Sequence, residues 1–118
     1  MIDIEYFLVH ELRHIFQHLE IKDFECRKET IVDKDIIKKW IHESKHYVPA
    51  SDTNGNENEA YFRQDCEMDA YAFSYALMKY KYGDDKIDCL YLPNIYGDEF
   101  FSIVNNFLDF FNEIDSWF

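Results

Sequence analysis

Apolar residues recur at spacings of three and four over most of the chain, as they do in helices that bury one face. In residues 3–20 the stripe is Ile4, Leu8, Leu12, Ile15 and Leu19. Residues 33–46 predict a second helix, with Asp33 as its N-cap and Ile36, Ile37, Trp40 and Ile41 on one side. Residues 57–82 predict a long helix that stops at Gly83. Residues 98–115 predict a last helix, with Phe100, Phe101, Val104, Phe107, Leu108 and Phe111 as its apolar stripe. The turn formers of Pro49 to Asn58 read as the clearest loop, and weaker breaks fall at 83–85 and 92–98. Residues 87–92 are the only candidate strand. The expected fold class is therefore mainly α, and α+β at most. Helix 3–20 should pack on helix 57–82, and Phe101, Val104, Leu108 and their neighbours on the C-terminal helix should supply part of the cover for the stripe of Leu8, Leu12, Ile15 and Leu19.

The first helix carries His10-Glu11-Leu12-Arg13-His14, an HExxH motif. Histidines four residues apart lie one turn apart on one face, so both imidazoles can reach one ion at ~2.0–2.1 Å. Glu11 projects beside them, placed to take a proton from water rather than to ligate. On a wheel of about 100° per residue, the His10–His14 face lies roughly opposite the apolar stripe, with His18 on the site side. Catalytic zinc takes three protein ligands and leaves a position open. Glu67 on the long helix is the candidate third ligand. It shares its face with Ala60, Tyr71, Ser74 and Met78, whereas Asp69 points away, free to pair with a base or cap a loop. Tyr71 is the chosen oxyanion donor, with Tyr47 and Tyr61 as alternatives. A second HExxH, His42-Glu43-Ser44-Lys45-His46, has a polar surround and is followed by Pro49, so it reads as a solvated helix end.

The run from His10 to Gln17, followed by Glu67-Met68-Asp69-Ala70-Tyr71-Ala72-Phe73, resembles small zincin-type metallopeptidases of Gram-positive bacteria and their mobile elements, similar to the ImmA/IrrE-like gluzincins. Trp40, Tyr47 and Tyr61 add to the likeness, which covers roughly residues 5–80. The resemblance implies a zincin-like minimal helical domain that uses Zn2+. It implies His10, His14 and Glu67 as metal ligands, Glu11 as general base, and a protein or peptide substrate. The chain departs from the family pattern in two places. No β-sheet is expected ahead of the motif, and the position four after Glu67 is Tyr71 rather than Asp.

Length sets the domain count at one, residues 1–118. Residues 1–83 hold the site helices, and 84–118 form an acidic, aromatic C-terminal segment. Twenty-four acids against twelve bases give a net charge of −12. Such a chain is repelled by phosphate backbones, so no direct nucleic-acid binding is expected. Residues 84–118 hold eight of the acids and one base. That segment could meet a basic protein partner, and its surplus aromatics could serve a homodimer. The alternative to a peptidase is thus a non-catalytic acidic inhibitor, or nucleic-acid mimic, on a zincin-derived scaffold. Cys26, Cys66 and Cys89 form no disulfide framework and read as structural thiols. No signal peptide or membrane span is expected, and the expected location is cytoplasmic.

Overall fold

Helices make up three quarters of the described residues in the computed structural model, which describes residues 2–50 and 58–117. They are α1 (Ile2–Glu25), α2 (Lys34–Lys45), α3 (Glu59–Arg63), α4 (Asp65–Tyr82), α5 (Asp84–Ile87) and α6 (Asp98–Ser116). No strand occurs among the described residues, and the fold is mainly α as the sequence predicts. Most of the expected 49–58 loop, and Phe118, lie outside the described residues.

α4 runs through the middle, with α1 on one side and α6 on the other. A helix covered on both sides cannot have a polar face, and α4 buries Glu67, Ala70, Tyr71, Ala72, Ser74, Ala76 and Met78 around its circumference. Its alanines and Ser74 are fully buried, and such small side chains let neighbouring helices approach closely. On the α6 side, Phe73 meets the rings of Phe107 and Phe111 edge-on, at 5.3 and 5.7 Å between centroids. Phe100 is fully buried and stacks on Tyr96 at 4.6 Å. α2 buries Ile37 and Trp40 against the same assembly. Its N-cap is Asp33, as expected, accepting from the Asp35 amide at 2.8 Å. Gly83 ends α4 at φ 84°, its amide donating to the Lys79 carbonyl.

The structure corrects the sequence reading at four places. Residues 57–82 are not one helix. The chain breaks at Gln64, where ψ is 136°. The buried side-chain amide of Gln64 exchanges hydrogen bonds with Val48 N–H (3.0 Å) and Val48 C=O (3.2 Å), which ties the break to the segment after α2. Ala60 therefore lies on α3, exposed, and shares no face with Glu67. Second, residues 87–92 form the end of α5 and a turn rather than a strand, burying Ile87 and Leu90. Third, Cys26 and Cys89, read as structural thiols, are free and exposed.

The fourth correction concerns α1. The stripe Ile4, Leu8, Leu12, Ile15 and Leu19 is exposed, each residue by more than half. α6 packs on α4 and does not cover it. α1 instead buries its more polar face, Tyr6, His10, Gln17 and Glu20. That burial is tolerable because each side chain finds a partner. Tyr6 donates to the Tyr91 carbonyl (2.9 Å), Glu20 accepts from the Ile31 amide (3.0 and 3.2 Å), and His10 and Gln17 meet α4. Replacing Leu12 or Ile15 with Ser should thus shift stability by less than about 0.5 kcal/mol, the range for exposed sites. A core leucine would cost several times that in urea unfolding.

Candidate metal centre

His10 and His14 sit one turn apart on α1, on the face that meets α4, and Glu67 reaches them from the first turn of α4. The Nε2 atoms of the two histidines are 3.1 Å apart, and each lies 3.2 Å from Glu67 Oε1. The three atoms form a nearly equilateral triangle, a group that could hold a metal ion. The geometry fits the ion the motif implies. Ligands at ~2.0–2.1 Å in a tetrahedral shell stand about 3.3 Å apart, close to the edges seen here. The donor chemistry fits as well. Two imidazole nitrogens and a carboxylate oxygen are lone-pair carriers when the rings are neutral, and lone pairs at this spacing repel unless a cation or a shared proton lies between them.

Glu67 is 2% exposed. Burial alone would push its carboxyl upward. Hydrogen bonds with His10 and His14, the His14 charge and the Tyr61 hydroxyl outweigh burial and hold it down at about 2. It stays ionised throughout the working pH range. Tyr61 donates to Oε1 at 2.9 Å and Tyr47 to Oε2 at 3.1 Å. Burial and the adjacent Glu67 charge push both phenols upward, so both remain donors. The break at Gln64 makes the Tyr61 contact possible. Six residues of unbroken helix would set Tyr61 about 120° around the axis from Glu67 and more than one turn along it.

His14 has a further partner. Its Nδ1 lies 2.9 Å from Gln17 Oε1. Gln17 Nε2 donates to Asp69 Oδ2 (2.8 Å) and to the Cys66 carbonyl (2.9 Å). Asp69 in turn accepts from Arg13 Nε at 2.8 Å and Arg13 NH2 at 3.2 Å. The sequence left Asp69 to pair with a base, and Arg13 of the motif is that base. Burial pulls the His14 pKa down, but hydrogen bonds to Glu67 and Gln17 and the charges of Glu67 and Glu11 raise it more, so its net shift is upward.

A cleft of about 320 Å³ opens beside the triangle, lined by Glu11, His14, His18, Trp40, Tyr47 and Glu67 among others. Glu11 is exposed and faces this space. His18 lines it as well, whereas Cys66 is half-buried in its wall. Tyr71 is placed differently from the expected oxyanion donor. It does share the Glu67 face, but that face is the α1–α4 interface. Its ring is buried in the core with its centroid 4.4 Å from that of His10, and it is not among the cleft-lining residues. The phenols that reach Glu67 are Tyr47 and Tyr61, and Tyr47 lines the cleft.

The second HExxH does different work. His42 and His46 are exposed at the end of α2. Glu43 accepts from the Asp65 and Cys66 amides at 2.5 and 3.0 Å, so it caps α4, whose own N-cap Gln64 makes no side-chain cap bond. Sequence reasoning missed this cap, since only the fold brings α2 to the start of α4. It also missed Gln17, although a signal existed. Gln17 lies three residues after His14 on the same helix face.

No family model, curated protein or solved structure matches this chain. The geometry of the site therefore carries the functional reading.

Proposed function

We propose that the protein is a zinc-dependent peptidase on a zincin-like helical scaffold, with His10, His14 and Glu67 as the metal ligands. The single observation that supports it most is the triangle of two Nε2 atoms and Glu67 Oε1 with edges of 3.1–3.2 Å, bordering a cleft into which Glu11 projects. The ion, when bound, supplies Lewis acidity toward a carbonyl oxygen and acidifies water. The other steps belong to side chains. Glu11 takes the proton of the attacking water and returns it to the leaving amine, a role open to an exposed carboxylate at the cleft and closed to the buried Glu67. Tyr47, an exposed phenol on the cleft wall, turns its single O–H from Glu67 Oε2 to the oxyanion that develops on the carbonyl. Tyr61 holds Glu67 in place, and Tyr71 packs His10 from behind.

The purified protein should cleave an unstructured protein such as casein, lose that activity on chelation, and recover it with zinc. The pH dependence follows from His14. Its proton stabilises the metal-free fold below about pH 6.5 and is lost as pH rises through the raised value. The ion competes for the same lone pair, so zinc affinity and activity rise with pH across that range while Glu67 stays ionised. Cleavage insensitive to chelator, or zinc affinity flat from about pH 6 to about pH 8, would contradict the proposal. Zinc binding without cleavage of any substrate would favour the acidic binding-protein alternative.

A further inference from the structure

Two histidines offer Nε2 to the triangle, yet their other nitrogens are treated differently. His10 Nδ1 is buried with no hydrogen-bond partner among the described residues, so nothing on that side selects its tautomer. His14 Nδ1 faces Gln17 Oε1 at 2.9 Å. We infer that Gln17 is a positioning residue, fixing His14 in the tautomer that leaves Nε2 free for the ion. This inference rests on the metal-centre reading above and deepens it.

The orientation of the Gln17 amide decides the matter. Its two ends are distinguished here by their partners. Nε2 lies 2.9 Å from the Cys66 carbonyl and 2.8 Å from Asp69 Oδ2, both acceptors. Turning the amide over would set its oxygen against a carbonyl and a carboxylate, leaving a buried side chain with acceptors facing acceptors. Oε1 therefore faces His14, and Oε1 can only accept. The proton of neutral His14 must then sit on Nδ1, and the lone pair on Nε2 points at His10 Nε2 and Glu67 Oε1. Asp69 cannot swing away easily. Arg13 grips it with two bonds, and the Arg13 guanidinium lies over the rings of Phe16 and Phe73 at 4.5 and 4.6 Å. The order of control runs from helix packing through Arg13, Asp69 and Gln17 to one ligand atom. Without Gln17, the attraction of Glu67 would draw the His14 proton onto Nε2, the atom the ion needs.

Nitrogen-15 NMR on metal-free protein, at alkaline pH where the ring is neutral, reads the tautomer directly. The wild type should carry the His14 proton on Nδ1, and this measurement needs no variant. Gln17→Leu should move it to Nε2 and weaken the binding of zinc alone by ~10–100-fold, the usual effect of losing an outer-shell partner. Gln17→Glu keeps an acceptor for His14 but sets its carboxylate against Asp69 and the Cys66 carbonyl, so it should also bind zinc poorly. Adding Asp69→Asn, whose amide can donate to the new carboxylate, removes the charge repulsion and should recover part of the affinity. A merely structural role predicts neither the tautomer change nor the rescue. A wild type with its His14 proton on Nε2, or a folded Gln17→Leu variant with unchanged tautomer and zinc affinity, would overturn the inference. A wild type with the Nδ1 proton that binds no zinc would support the Gln17 assignment and count against the metal centre itself.

Discussion

Glu11→Gln is expected to lose ~10²–10⁴-fold or more in hydrolysis, the usual contribution of a positioned general base, while retaining its metal and its fold. The substitution preserves shape and removes only the ability to accept a proton. Glu11 is exposed on the cleft, outside the triangle of His10, His14 and Glu67, so neither metal nor core depends on it. Initial rates on an unstructured protein substrate, with metal content measured on the same sample, separate the two effects. Equal turnover by the variant would remove Glu11 from the mechanism. Loss of metal along with activity would place Glu11 among the ligands instead.

The largest effect on stability is expected at α6. Phe100 is fully buried against Tyr96 and Tyr75, and Phe100→Ala should cost ~3–5 kcal/mol, a large share of the ~5–15 kcal/mol typical of a domain. Removing residues 98–118 takes away Phe100 and Val104 and uncovers the α4 side lined by Phe73, Tyr75 and Leu77. Each lost large apolar side chain contributes ~1.5–3 kcal/mol, so the truncated chain should not fold. Urea unfolding of Phe100→Ala and circular dichroism of the truncated chain test this. A truncated chain that still melts cooperatively would make the segment an appendage and return it to the role of partner surface.

The regular helices were legible because local signals announce them. Asp33 caps α2, Gly83 stops α4, and Phe100, Phe107 and Phe111 of α6 recur at helical spacing and face the core, while Phe101 of the same predicted stripe is exposed. The candidate metal triad was legible because i,i+4 histidines share a face whatever lies around them, and because Glu67 shares a face of α4 with Tyr71, Ser74 and Met78, although Ala60, also placed on that face, lies on α3. What could not be read depends on contacts between distant segments. The break at Gln64 has no Gly or Pro to mark it. It exists because Glu43 offers the Asp65 and Cys66 amides another partner and Val48 holds the Gln64 side chain. The stripe on α1 misled because apolar periodicity reports which face is greasy, whereas burial depends on which face is better satisfied. α1 turns its histidine–glutamine face inward because α4 supplies Glu67, Asp69 and the Cys66 carbonyl to meet it. The misplacement of Tyr71 follows from the same point. Sharing a face with Glu67 put it inside the α1–α4 interface rather than on the cleft.

The proposed centre holds one ion between His10, His14 and Glu67. Metal content and zinc-edge X-ray absorption on protein purified without chelator, for the wild type and for His14→Ala, read it out. One zinc per wild-type chain is expected, with imidazole and carboxylate ligands at ~2.0–2.2 Å, and almost none in His14→Ala. No zinc in the wild type would contradict it, as would zinc retained by His14→Ala and released only when His42 and His46 are replaced.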